Sequence, residues 1–153
     1  MKRSRQVLAL AGLLVSGALV FGGCGGGGSK RLSKGQFASK ANALCAAYTK
    51  KIDVLPEPKN AAEGASMVAR EIPLFEQLVS DVKKLNPPAD EAAKVRRVIA
   101  LGADDLQLLR DYEKALKAGD SAKASSLQRQ GDSNRAESSR LFHELGITAC
   151  ESH

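Results

Sequence analysis

The sequence has few of the side chains from which catalytic and metal sites are usually built. Trp is absent, aromatic residues make up 4% of the 153 residues, and there are 2 His and 3 Cys. A buried core must therefore consist mainly of Leu, Val, Ile and Ala. A zinc site is not expected, because it needs four ligands, while Cys150 and His153 supply two and His143 is the one remaining histidine.

Local catalytic motifs are missing as well. The sequence contains no Gly-x-Ser-x-Gly around a nucleophilic serine and no Glu-x-x-His pair of the kind that holds two iron ions in a helical bundle. The one long glycine run, residues 25–28, precedes any predicted element and so cannot form a phosphate-binding loop between a strand and a helix. We therefore expect a protein that is not an enzyme and that carries no cofactor.

Charge is not concentrated in any one segment after residue 23. The chain has 23 Lys and Arg against 17 Asp and Glu, a net charge of +6. Lys2, Arg3 and Arg5 account for three of the positive charges, which leaves about +3 on the rest. A nucleic-acid-binding protein would gather its basic residues on one face. We expect no nucleic-acid partner.

Residues 1–23 have the composition of a bacterial lipoprotein signal peptide. Three basic residues precede an uncharged, mainly apolar run at 7–21, which is shorter than the ~20 residues of a membrane-spanning helix. Residues 21–24, Phe-Gly-Gly-Cys, resemble a lipobox, although Phe21 stands where Leu is favoured. This pattern predicts cleavage before Cys24, lipidation of its sulfur, and a Gly-rich tether over residues 24–32. The alternative is an uncleaved membrane anchor.

The remaining residues, 33–153, are predicted to form one all-α domain. Apolar residues recur every three or four positions in four stretches, at about 34–54, from Asn60 to 85, from Ala89 or Asp90 to 117, and from 120 to 145. Four helices joined by short loops favour an up-down-up-down four-helix bundle. Pro73 lies inside the second helix and predicts a kink or break near Glu71.

Helix ends are marked by residues that satisfy free backbone groups. Ser33 with Gln36 has the spacing of a capping box, and Asn60 and Asp120 are expected to cap the second and fourth helices. Gly119 and Gly146 are expected to end the third and fourth helices.

The two cysteines outside the lipobox are candidates for a disulfide. Cys45 lies on the apolar stripe of the first helix and Cys150 just beyond the fourth, and antiparallel neighbours would bring the two together. Outside the cytoplasm such cysteines tend to pair. The alternatives are two unpaired thiols, or a metal site that uses Cys150 and His153.

The fourth helix has an interruption in its apolar stripe. Gly131, Asn134 and Ser138 stand at positions where the three- and four-residue spacing of the stripe predicts apolar side chains. One interpretation is a polar-lined pocket for a small ligand between the fourth and first helices. The other is that the helix rotates or bends and leaves these residues at the surface.

Part of the sequence resembles small lipoproteins of actinobacterial cell envelopes. The likeness is carried by Leu-Ser-Lys at 32–34, Phe37, Lys-Ala-Asn-Ala-Leu-Cys at 40–45, and the late Gly146 and Cys150. The resemblance implies a location on the outer face of the cytoplasmic membrane and implies no activity.

Two functions follow as hypotheses. The first is a membrane-tethered, non-enzymatic interaction module whose partner is another envelope protein or a cell-wall polymer. The second is a carrier or sensor that holds a small or apolar ligand inside the bundle. A core filled completely by side chains would exclude the second hypothesis.

Overall fold

A computed structural model describes residues 30–151 of the chain, and within this range it is all-helical, with no strands. The helices are α1 (Lys34–Ile52), α2 (Ala61–Lys84), α3 (Ala92–Ala118) and α4 (Ser121–Leu145), followed by a 3₁₀ turn at Thr148–Cys150. Within residues 30–151 the prediction of an all-α helical bundle is confirmed. The predicted signal peptide, Cys24, most of the tether and His153 lie outside the described residues.

The predicted caps determine where three of the helices begin. The Ser33 hydroxyl accepts from the Gln36 amide at 3.3 Å, and the Gln36 side chain accepts from the Ser33 amide at 3.0 Å. Asn60 accepts from the Glu63 amide at 2.9 Å, and Asp120 accepts from the Lys123 amide at 2.9 Å. Each cap satisfies a donor that the first helical turn leaves free.

Two helices end in glycines with left-handed backbone geometry, as predicted. Gly119 has φ of 68° and Gly146 has φ of 73°. Any other residue would be strained at these angles, so the two glycines terminate α3 and α4 at defined positions.

The start of α3 differs from the prediction. The helix begins at Ala92, because residues 89–91 form a turn in which the Glu91 amide donates to the Pro88 carbonyl at 3.2 Å. Glu91 occupies the cap position but makes no side-chain cap. Its carboxylate instead pairs with Lys34 at 2.8 Å and Lys94 at 3.1 Å, which links the start of α3 to the start of α1.

Pro73 does not break α2. The helix runs from Ala61 to Lys84 as one element and Pro73 is exposed on it. A break near Glu71 was therefore a wrong expectation. The predicted kink of the helix axis stays a prediction.

The closest helix packing is between α2 and α3 and between α3 and α4. At the first of these interfaces Gly102 allows α3 to approach α2, since a Cβ at this position would lie 3.0 Å from Val79 Cγ2. In contrast, α1 packs on α2 and on the 3₁₀ turn, and its body makes little contact with α4. The α1–α4 side of the bundle is therefore the least tightly closed.

The buried residues include two separate apolar clusters. The larger one, here called the disulfide-end cluster, is built on Phe37, Ala41, Cys45, Val95, Leu145 and Ile147. The smaller one, here called the far cluster, is built on Ala115, Ala124 and Leu127. No helix within residues 30–151 is both long enough and apolar enough to span a bilayer.

Candidate functional site: a cavity inside the bundle

A cavity of about 490 Å³ borders both apolar clusters. All four helices and the 3₁₀ turn contribute to its wall. Its volume lies within the ~300–1,000 Å³ that small-molecule sites usually have. The two clusters therefore flank a partly open space of ligand size.

The wall of the cavity is mostly apolar. Aliphatic side chains come from every helix: Ile52, Leu78, Val79, Val82, Val98, Ile99, Leu108, Leu109 and Leu127. Aromatic rings add to them, since four of the five Phe and Tyr in residues 30–151 line the space: Tyr48, Phe75, Tyr112 and Phe142. In a chain with 4% aromatic residues, this concentration makes the cavity the most aromatic region of the fold.

One polar position on the wall is a tyrosine–glutamate pair between α1 and α2. The Tyr48 hydroxyl donates to Glu71 Oε1 at 3.0 Å, and the Tyr48 ring lies 5.8 Å from that of Phe75, centroid to centroid. Burial, together with the adjacent Glu71 carboxylate, raises the pKa of Tyr48 far above its ordinary value. The phenol therefore stays protonated and keeps one Glu71 oxygen occupied.

A second polar position lies between α3 and α4. Asn134 Nδ2 donates to Asp105 Oδ1 at 2.8 Å, and the carboxylate of Asp105 lines the cavity. Burial raises the pKa of Asp105, and the hydrogen bond from Asn134 opposes that effect only in part. Asp105 is thus a carboxylate in an environment that disfavours its charge.

A hydroxyl on the wall has no hydrogen-bond partner among residues 30–151. Thr49 Oγ1 is shielded from solvent, and no donor or acceptor of the described chain reaches it. Buried polar atoms are normally paired. Thr49 lines the same space as Tyr48 and Glu71, but its Oγ1 is turned away from that space and out of reach of a water-sized group in it.

The cavity reaches the surface along α4. Its wall includes Gln128, Asp132 and Arg135, whose side chains are exposed. Arg135 pairs with Asp132 one helical turn away, at 3.3 Å. Because α1 makes little contact with α4, we place the mouth of the cavity between these two helices.

The structure brings the three residues of the α4 interruption to the cavity or next to it. Gly131 and Ser138 line the wall, and Asn134 holds the wall residue Asp105. A Cβ added at Gly131 would meet no atom within 4 Å. The absence of side-chain volume at this position leaves space that the helix would otherwise fill.

Cys45 and Cys150 form the predicted disulfide. Their Cα atoms are 5.4 Å apart, and both residues lie on the cavity wall. Asn42, one turn before Cys45, donates to the Gly146 carbonyl at 2.9 Å and accepts from the Ala149 amide at 2.8 Å. One amide side chain therefore fixes the end of α4 and the 3₁₀ turn against α1.

Residues that carry metal or acid–base chemistry in other proteins do not converge in the described part of the chain. No group of three or more His, Cys, Asp or Glu there could hold a metal ion. The side chain of His143 is 81% exposed, and its Nδ1 lies 3.4 Å from Glu151 Oε1. It lies outside the cavity wall.

Two of the three carboxylates of the wall, Glu71 and Asp105, are not among the residues predicted from the sequence. Glu71 stands three residues after Val68 and four before Phe75, and Asp105 stands three after Gly102 and four before Leu109. Both are acidic residues at stripe positions, the same signal that singled out Asn134 in α4. Applied to all four helices, this criterion would have found them.

Comparisons with known proteins add no relative: no family model, no curated protein and no solved structure matches this chain.

Proposed function

We propose that the protein is a carrier or sensor that binds a small, largely apolar molecule inside its helical bundle. The observation that carries this proposal is the cavity of about 490 Å³ bordered by both apolar clusters. Its wall is mostly apolar and is open to water on one side. Apolar surface in contact with water costs free energy, which a ligand that covers the wall would recover.

The position of the polar groups supports the same proposal. Ligand sites are typically apolar with a few polar groups that fix orientation. Here Tyr48 with Glu71 and Asp105 with Asn134 provide such groups on two sides of an apolar wall. A ligand could therefore be both buried and oriented.

Binding can be tested with the neutral apolar dye N-phenyl-1-naphthylamine, which becomes fluorescent in apolar surroundings. Gly131→Leu places a side chain into the cavity, while Ala136→Leu adds the same volume on the exposed side of α4. We expect the wild type and Ala136→Leu to bind the dye with equal affinity and Gly131→Leu to bind at least tenfold more weakly.

Circular dichroism checks that both leucine variants remain helical. Failure of the wild type to bind the dye would contradict the proposal, as would unchanged binding by Gly131→Leu. Mass spectrometry of molecules that co-purify with the chain would then identify the natural ligand.

We further propose the up-down-up-down helix order and the axis bend at Pro73. Contacts between helix ends support the order. The Leu32 amide, before α1, donates to the Asn86 carbonyl after α2 at 2.9 Å, and Arg97 early in α3 pairs with Glu137 late in α4 at 2.7 Å. The bend is expected because Pro73 has no backbone donor for the turn before it.

We also propose that the protein is a lipoprotein anchored through acyl chains on Cys24 to the outer face of the cell membrane, as the resemblance to actinobacterial lipoproteins implies. The disulfide between Cys45 and Cys150 supports an oxidising compartment. Intact-mass analysis should show loss of residues 1–23 and a lipid adduct, and Cys24→Ser should release the chain from membranes. A wild-type chain that retains its leader would contradict this.

The hypothesis of an envelope interaction module stays a prediction. Within residues 30–151, Val54 after α1 is the large hydrophobic side chain that is exposed on the outer surface. The interior of the bundle therefore gives stronger support to ligand binding than the exterior gives to docking.

A further inference from the structure

We propose that the ligand of the cavity is an organic cation: an apolar molecule that carries an ammonium group. This inference rests on the proposed function, because it names the chemical class of the ligand for the same cavity. It derives from the charges and the rings on the wall.

The charged groups of the wall favour a cation. Glu71, Asp105, Asp132 and Arg135 are the ionisable acids and bases that line it besides the two tyrosines. Arg135 already pairs with Asp132 near the mouth, at 3.3 Å. The remaining charge of the wall therefore comes from Glu71 and Asp105, and it is negative.

Neither of these carboxylates forms an ion pair in the described part of the chain. Every ion pair formed within residues 30–151 leaves Glu71 and Asp105 out. Their hydrogen bonds come from the neutral donors Tyr48 and Asn134. Arg135 lies near enough to lower the pKa of Asp105, but its ion pair is with Asp132, so a bound cation would be the first ion-pair partner of either carboxylate.

The aromatic rings recognise the same class of ligand. The rings of Tyr48 and Phe75 lie beside Glu71, and their centroids are 5.8 Å from each other. Tyr112 and Phe142 line other parts of the wall. The faces of aromatic rings attract ammonium groups, and several rings around one space are the usual means by which proteins bind quaternary ammonium compounds. An anionic amphiphile would instead meet two carboxylates that have no ion-pair partner.

The size of the cavity matches an ammonium group with a short apolar chain. A space of about 490 Å³ accommodates a molecule larger than a free ammonium ion and requires apolar surface to fill the aliphatic side. We therefore expect both parts of the ligand to contribute to binding.

The test measures binding of three probes of equal chain length to the full-length protein. They are octyltrimethylammonium and octanoate, both below their micellar concentrations, and 1-octanol, below its solubility limit. We expect titration calorimetry to show that the ammonium probe binds at least tenfold more tightly than the other two. In the double variant Glu71→Gln/Asp105→Asn, we expect the preference for ammonium over alcohol to fall at least tenfold. Asp104→Asn, an exposed neighbour of Asp105, should retain the preference.

The outcomes separate this inference from the proposed function. Equal binding of all three probes, or preference for octanoate, would overturn the cation assignment and leave an apolar-ligand site in place. Binding of none would contradict both proposals. If the double variant does not fold, nuclear Overhauser contacts from the N-methyl protons to the rings of Tyr48 and Phe75 in the wild type decide the matter, and their absence would overturn the inference.

Discussion

The disulfide-end cluster and the cavity show opposite solutions to packing within one bundle. At the disulfide end, Phe37 and Leu145 are each 1% exposed, and Asn42 uses its side-chain amide to hold the end of α4 and the turn beyond it. Around the cavity, Gly131 leaves space open, and Thr49 Oγ1 has no partner among residues 30–151. The same four helices therefore provide a closely packed end and an open pocket.

This difference indicates which region supplies stability and which supplies binding. The disulfide-end cluster buries large side chains and includes a covalent link, so it can bear the cost of an unfilled space elsewhere. Substitutions in the two regions should therefore have unequal effects on the free energy of unfolding, and these effects can be ranked.

The largest effect is expected from removal of the disulfide. Cys45 and Cys150 are 105 positions apart in sequence. The double substitution Cys45→Ala/Cys150→Ala should lower the free energy of unfolding by about 4–5 kcal/mol if the chain-entropy estimate holds. Urea unfolding of oxidised wild type, reduced wild type and the variant measures it, and a loss below about 1 kcal/mol would contradict the assigned role.

The next effect compares one phenylalanine from each region. Phe37→Ala removes a fully buried ring and should cost about 3–5 kcal/mol. Phe75→Ala removes a half-buried ring that already faces open space, and it should cost about 1–2 kcal/mol. Equal losses in urea unfolding would mean that the two regions are packed alike.

A third pair of substitutions compares two helical glycines, one beside open space and one at a close contact between helices. Gly131→Ala should raise the free energy of unfolding by about 1 kcal/mol, because alanine favours helix and its Cβ meets no atom within 4 Å. For Gly102→Ala the rise in the free energy of unfolding should be about 1 kcal/mol smaller than for Gly131→Ala, because the new Cβ would lie 3.0 Å from Val79 Cγ2. Thermal unfolding followed by circular dichroism measures both, and a reversed order would contradict the packing described for α2 and α3.

The smallest effects concern pH and have opposite signs in the two regions. Lys34 and Lys94 hold the pKa of Glu91 below its ordinary value of about 4.5, so its stabilisation is present at neutral pH and is lost as the pH falls through the lowered pKa. Glu91→Gln should therefore cost about 1 kcal/mol at pH 7 and nothing in strong acid.

Asp105 behaves in the opposite way, because burial raises its pKa. Its charge destabilises the fold at neutral pH, and protonation relieves this penalty as the pH falls through the raised pKa. Asp105→Asn keeps an acceptor for Asn134 and should raise the melting temperature at pH 7, with the gain lost on acidification. Melting curves at several pH values test both variants, and parallel pH profiles for the two would contradict the assignment.

Much of the fold could be predicted because its determinants are local. Ser33, Asn60 and Asp120 cap helices through partners three residues away, and Gly119 and Gly146 act through their own backbone angles. The start of α3 was predicted two or three residues early because its cap residue, Glu91, binds Lys34 from another helix. Sequence periodicity contains no information about such a partner.

The candidate site was predictable only in part for the same reason. The interruption at Gly131, Asn134 and Ser138 is visible as three missing apolar side chains on one helix. The pairing of Tyr48 with Glu71 depends instead on how far α1 and α2 are shifted along each other, which the apolar stripes leave undetermined.

The position of the disulfide also changes the connectivity of the molecule. All three connections between helices lie between Cys45 and Cys150, so the bridge closes a covalent ring that contains them. A protease that cuts any one of these connections would open the ring without separating the fragments. Under non-reducing electrophoresis the nicked chain would migrate as a single species, and two fragments would separate only after a thiol reductant is added.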